Sequence, residues 1–274
     1  MGRYLLYHMH PWSVAESIRT RLPERELHAP VEIPDAEWNA LWEHGGFPEP
    51  FLRRDSRFSR RWRSLWRDQL SREDVRDLAR IADLGTMETL MQILAERSAR
   101  PLVYANLAGE VQVAVDTAKR WTGLLTGIHY GFLVRPWFKN VAKALRKEPK
   151  WFLRDWSGVD DEGARAETFV ACHLLKAVEG WTDLGFGDFE LRYLRDKQKR
   201  EVDFLIVRDR KPWFLVEAKL SDTHLSASLA YYQQQTKAPH AFQVVMDLPY
   251  EPADCFTTHR PVVVPARTFL SQLL

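Results

Sequence analysis

Between residues 189 and 246 the chain lays down three apolar runs of strand length, a helix-length stretch and a fourth apolar run. The first three cover residues 189–194, 201–207 and 213–220, and polar joints at 195–200 and 209–212 separate them. Short runs rich in valine, isoleucine and phenylalanine between polar joints read as strands, and joints this short connect antiparallel neighbours. Residues 225–238 read as a helix and 241–246 as a further strand. A helix over 162–178 precedes them, with Phe169, Val170, Leu174, Leu175 and Val178 on its apolar side. The order helix–strand–strand–strand–helix–strand predicts an α/β layer whose middle strands are buried.

Three acids and one lysine stand out against that background. Asp203 interrupts Val202-Asp203-Phe204-Leu205-Ile206-Val207, while Glu217 and Lys219 end Trp213-Phe214-Leu215-Val216-Glu217-Ala218-Lys219. Side chains alternate along a strand, so Glu217 and Lys219 project from one face. Asp203 and Glu217 fall near the open end of the hairpin, within reach of each other. Two converging carboxylates repel, and a divalent cation relieves the conflict: Mg²⁺ takes one or two carboxylates and completes its shell with water and phosphate. Lys219 can position a water or stabilise charge developing on a phosphate. Glu167, on the preceding helix, is the third acid. Strand ends also carry Glu and Lys for solubility, but these acids sit in strands that are otherwise apolar on both sides.

The rest of the chain divides by texture. Residues 1–70 are irregular, with prolines at 11, 23, 30, 34, 48 and 50 that forbid a long element. Within them, residues 53–67 carry seven arginines against Asp55 alone, with Phe58, Trp62, Leu65 and Trp66 near helical spacing. This reads as a basic amphipathic helix, a charge patch for nucleic acid that would equally suit an acidic partner surface or solvent. Residues 71–147 read as helical, with apolar stripes at Val75, Leu78, Ala79 and Ala82 and at Met87, Leu90, Met91 and Leu94. Two shorter segments, 102–111 and 115–125, flank a joint that fits a helix–turn–helix, and the β-prone tail 128–138 is a candidate wing. Residues 148–274 then form the α/β unit.

The 274 residues carry 39 basic and 37 acidic side chains, so nucleic-acid affinity has to come from local patches. On the second helix of the helix–turn–helix, Lys119 and Arg120 face outward with Asp116 and Gly123, where they would meet phosphates or guanine edges. No apolar run reaches bilayer length, so no membrane partner is expected. Two cysteines, Cys172 and Cys255, make no disulfide framework, and a cytoplasmic setting follows as the expectation. His8 and His10 lack a third ligand. Among Gln233, Gln234 and Gln235, Gln234 is the candidate polar helper of the acidic site.

At these residues the chain resembles the PD-(D/E)XK nuclease superfold, and more specifically the DUF4143 module that forms the C-terminal part of many prokaryotic AAA-type ATPases. Gly45-Gly46-Phe47-Pro48-Glu49, the helix–turn–helix over 107–125, Glu201-Val202-Asp203-Phe204 and Val216-Glu217-Ala218-Lys219 carry the likeness. The opening segment, through His10-Pro11-Trp12-Ser13, is similar to the exit from the ATPase domain. The resemblance implies an α/β fold with an added all-α part: a winged-helix-like region followed by a nuclease-like domain. No G-x-x-x-x-G-K-[ST] loop occurs in the sequence, so ATP turnover by that route is not expected. Two functions remain open. One is Mg²⁺- or Mn²⁺-dependent hydrolysis of DNA using Asp203, Glu217, Lys219, Glu167 and Gln234. The other is a non-catalytic DNA-binding or regulatory module that partners an AAA-type ATPase domain or subunit.

Overall fold

The computed structural model describes residues 5–71, 84–137 and 148–274. Its strands are β1 (Arg100–Pro101), β2 (Gly131–Pro136), β3 (Lys150–Leu153), β4 (Phe189–Arg195), β5 (Glu201–Arg208), β6 (Lys211–Lys219), β7 (His240–Val245) and β8 (Val262–Pro265). They form one mixed sheet in the order β1–β3–β2–β4–β5–β6–β7–β8. The hairpins β4–β5 and β5–β6 are antiparallel, whereas β2–β4, β6–β7 and β7–β8 pair in parallel. The helix–strand–strand–strand–helix–strand order is therefore present, within a larger sheet.

The helices are α1 (Val14–Ile18), α2 (Asp35–His44), α3 (Pro48–Arg53), α4 (Ser56–Gln69), α5 (Leu84–Glu96), α6 (Tyr104–Glu110), α7 (Val115–Gly127), α8 (Glu162–Asp183), α9 (Ala227–Thr236) and α10 (Ala266–Ser271). The Asp161 side chain starts α8 by accepting the N–H of Ala164 at 2.7 Å, satisfying one orphan donor of the first turn. The helix outruns its expected end because Trp181, fully buried, extends the apolar stripe by another turn.

Alternation along the strands sorts the core into two layers. Phe204, Ile206, Phe214, Val216, Phe242 and Val244 pack against Phe169, Leu174, Val178 and Trp181 of α8. Leu205, Val207, Leu215 and Ala241 pack on the opposite face against Leu229 and Tyr232 of α9. The strands are thus covered on both sides, which is why they read as continuous apolar runs.

A separate cluster holds the helical part. Met87, Leu90, Met91 and Leu94 of α5 meet Leu107, Trp121 and Leu125 of α6 and α7, and all rest on Tyr130, Trp151 and Leu153. The stripe expected at Val75, Leu78, Ala79 and Ala82 lies outside the described residues. Gln112, in the left-handed region at φ 53°, turns α6 into α7. The tail expected as a wing is β2, and its edges are spent on the main sheet: Gly131 to Val134 pair with β3, and Arg135 and Pro136 pair with β4. β2 lies before the boundary expected at residue 147 and β4 after it.

The Gly45-Gly46-Phe47-Pro48-Glu49 element is a joint. A Cβ on Gly45, whose φ is +84°, would fall 2.5 Å from an Asp155 oxygen, and one on Gly46 would fall 2.6 Å from the Trp12 carbonyl. Phe47 packs on Trp62 and Trp66 of α4, and Glu49 accepts the indole N–H of Trp62 at 2.8 Å. Pro48 begins α3, where its missing N–H costs nothing.

Candidate active site

Asp203 and Glu217 meet where β5 and β6 part. The β5–β6 register pairs Phe204 with Val216 and Leu205 with Leu215; one further step sets Asp203 across from Glu217. There the ladder gives way to a side chain, and Asp203 Oδ2 accepts the N–H of Ala218 at 3.0 Å.

A bulge aims Asp203. On the β4 side, Arg192 pairs with Leu205 and Leu194 with Val202, so both Asp203 and Phe204 stand opposite Tyr193. The extra residue breaks the alternation that would otherwise turn Asp203 with Leu205 toward α9. Bulges beside functional sites re-aim side chains in this way. Asp203 instead joins groups on the α8 side.

The centre of those groups is Lys150, the first residue of β3. Its Nζ lies 2.6 Å from Glu201 Oε1, 2.7 Å from Glu167 Oε1 and 3.3 Å from Asp203 Oδ1. The lysine side chain is only 2% exposed. Burial alone would lower its pKa, but the carboxylates of Glu167, Asp203 and Glu201 outweigh that and hold it above the ordinary lysine value. Lys150 is a fixed cation and not a proton acceptor.

Glu217 and Lys219 form a second pair, with Lys219 Nζ 2.9 Å from Glu217 Oε1. Glu217 Oε2 is buried without a hydrogen-bond partner. Burial, then the Asp203 charge, pushes Glu217 up to about 7 and Glu167 up to about 8. Lys219 is raised despite its own burial, chiefly by Glu217. Four carboxylates thus face two buried or half-buried ammonium groups, with Arg195 reaching Glu201 from the rim at 3.4 Å. Burial first, and the excess negative charge second, raise the two glutamates.

The donor chemistry fits a hard divalent cation. Asp203 and Glu217 offer oxygen only, one of those oxygens is orphaned, and two carboxylates meet the usual demand of Mg²⁺. Among the described residues no group of three or more His, Cys, Asp or Glu is spaced to hold a metal ion. Glu167, whose Oε1 is engaged by Lys150, therefore stands beside such a pair and is not a third ligand in this arrangement.

Gln234 is not brought to the acids. Leu229 and Tyr232 turn one face of α9 to the sheet, and Gln234, two residues beyond Tyr232, is exposed on the other side. Gln233 spends its amide on the carbonyls of Ala238, Pro239 and His259. The polar neighbour of Glu217 is instead Gln243, its register partner on β7. Fully buried, Gln243 accepts the Ser226 N–H and donates to the Asp222 carbonyl, both at 2.8 Å, and so ties the β6–α9 connection to the sheet. An amide inside the apolar run of residues 240–245 was the signal for it.

Lys119 and Arg120 are exposed on α7, and Lys119 lies 3.7 Å from Asp116. His8 and His10 serve separate acids, Asp183 and Glu179. Cys172 is buried, which pushes its thiol up to about 12. No described helix is long and apolar enough to cross a membrane.

Comparison with known proteins finds a family match in each of two segments. Residues 35–158 match the family described as Domain of unknown function (DUF8612), and residues 162–262 match Domain of unknown function (DUF4143). Uncharacterized proteins of Mycobacterium tuberculosis and Mycobacterium bovis are each 27% identical to the chain over 232 residues, covering 78% of it and 51% of themselves. The chain spans about half the length of these curated relatives. No solved structure matches it. The bulged Asp203, the Glu217–Lys219 strand end and Glu167 on α8 all fall inside residues 162–262, the segment that matches the DUF4143 family.

Proposed function

We propose that the α/β unit is a nuclease-like, DNA-interacting domain that hydrolyses phosphodiesters with Mg²⁺ or Mn²⁺. The observation that supports it is the Asp203–Glu217 pair, set opposite each other where two strands part, with Glu217 Oε2 buried and unpartnered. Asp203 and Glu217 would hold the cation, which supplies a Lewis acid for the phosphate oxygens. The Asp203 carboxylate is oriented by the Ala218 N–H, and Glu217 is oriented by the Lys219 ammonium. Lys219, the more exposed of the two ammonium groups, stabilises charge developing on the phosphate. The test is incubation with single-stranded, duplex and branched DNA and Mg²⁺ or Mn²⁺. Cutting that disappears in Asp203→Ala and Lys219→Ala is expected; intact DNA of every form in the wild type overturns the reading.

A second reading is favoured by Lys150. A buried ammonium already engages Glu167, Glu201 and Asp203, so the fold neutralises much of its acidic cluster without a metal. On this reading the unit is a non-catalytic DNA-binding or regulatory module that partners an AAA-type ATPase, with Lys119 and Arg120 on phosphates. Salt-sensitive DNA binding without cleavage supports it, since counterion release makes phosphate contacts salt-dependent.

A further inference from the structure

Lys150 and a divalent cation have a claim on the same oxygen. Asp203 Oδ2 is committed to the Ala218 N–H, which leaves Oδ1 as the oxygen not bound to backbone, and Lys150 Nζ lies 3.3 Å from it. The Lys150 ammonium is buried and Asp203 is only 13% exposed, so a second cation a few ångströms away is weakly screened from it. Of the three carboxylates around Lys150, Asp203 is held at the longest distance; Glu201 and Glu167 lie at 2.6 and 2.7 Å. The ammonium therefore has two closer partners to retain when it gives one up.

We infer that Lys150 is a resident counter-ion that occupies Asp203 until a divalent cation arrives, so that it sets the metal affinity of the site. This rests on the hydrolytic reading and adds a residue from outside the matched DUF4143 segment to it. Lys150 enters on β3, which pairs with β2 and not with β5, so the site is completed by the chain that precedes α8. Lys150 is a positioning residue: it touches Asp203 and not the phosphodiester.

The experiment is direct Mn²⁺ binding to the full chain, read from the electron paramagnetic resonance signal of free Mn²⁺, in wild type, Lys150→Gln and Lys150→Met. At least tenfold tighter binding in a folded variant is expected. Equal binding by wild type and variants overturns the displacement and leaves the hydrolytic reading standing; no binding by any of them overturns both. If neither variant folds, the wild type decides. Exchange of the Lys150 ammonium protons with water, followed by ¹⁵N NMR, is expected to quicken severalfold on saturation with Mg²⁺. An exchange rate that Mg²⁺ leaves unaltered overturns the displacement.

Discussion

The Asp203 carboxylate accepts the backbone N–H of Ala218 at 3.0 Å and so bridges β5 to β6 just where their ladder opens. One side chain thus has both a structural and a proposed chemical task. Asparagine keeps an acceptor at that place and removes the charge. Asp203→Asn is expected to retain the fold and lose Mn²⁺ binding, whereas Asp203→Ala leaves the Ala218 N–H without its partner. The second change should cost about 1–3 kcal/mol more than the first, read by urea denaturation.

The glycine pair at the joint should tolerate no side chain. Gly45→Ala meets both a left-handed φ and an Asp155 oxygen at 2.5 Å, and Gly46→Ala meets backbone and the Trp156 ring. Each is expected to lose roughly 1–3 kcal/mol, the scale of enforced backbone strain and overpacking. Gly123, inside α7 with nothing within 4 Å of a built Cβ, is the control. Gly123→Ala should gain about 0.5–1 kcal/mol, the helix-interior difference between the two residues.

Acid should weaken the fold through His173. Its Nδ1 donates to the Phe169 carbonyl and its Nε2 accepts the Val14 N–H at 3.1 Å, which fixes it as neutral. Burial pushes it down to about 4, with Lys176 the nearby cation. A base with a depressed folded pKa contributes stability that is complete above the unfolded value and is lost as pH falls below it. The loss should run from about pH 6.5 down to pH 4 and approach roughly 3 kcal/mol. Glu167 and Glu217, raised to about 8 and about 7, act with the opposite sign: their share is complete below the ordinary carboxylate range and fades as pH rises through those values. Subtracting the pH profile of His173→Asn from that of the wild type isolates the histidine limb.

Gln243 should matter to stability without touching a ligand. Gln243→Leu removes the partner of the Ser226 N–H and of the Asp222 carbonyl together, and about 0.5–1.5 kcal/mol is the expected cost for each hydrogen bond lost. Faster amide exchange in the β6–α9 connection, residues 220–226, is the local readout.

The exposed pair on α7 separates binding from folding. Lys119→Glu with Arg120→Glu should leave the unfolding temperature nearly unchanged, as surface substitutions do to within about 0.5 kcal/mol. DNA affinity, where the DNA-binding reading holds, should fall, and its salt dependence should flatten.

The α/β layer was legible because its strands are apolar on both faces and its joints are short. Phe204 and Leu205 announce a buried strand whichever way they point. Lys150 was not legible, since β3 is four residues long and its acid partners lie on α8 and β5. The bulge that aims Asp203 depends on how β4 pairs with β5, and a single strand's sequence does not carry a pairing mismatch. The fate of residues 131–136 turned on a similar fact. A β-prone run declares its conformation but not its partner, and β2 found the main sheet.

β2 meets β4 at only two ladder positions, Arg135 with Arg192 and Pro136 with Tyr193. That short seam joins the strand trio carrying Lys150 to the strands carrying the acids. Phe152 of that trio also packs on Phe204 of β5, 5.6 Å between ring centres, so the spacing of the ammonium from its carboxylates is set by how the helical half is keyed into the shared core as well as by this seam.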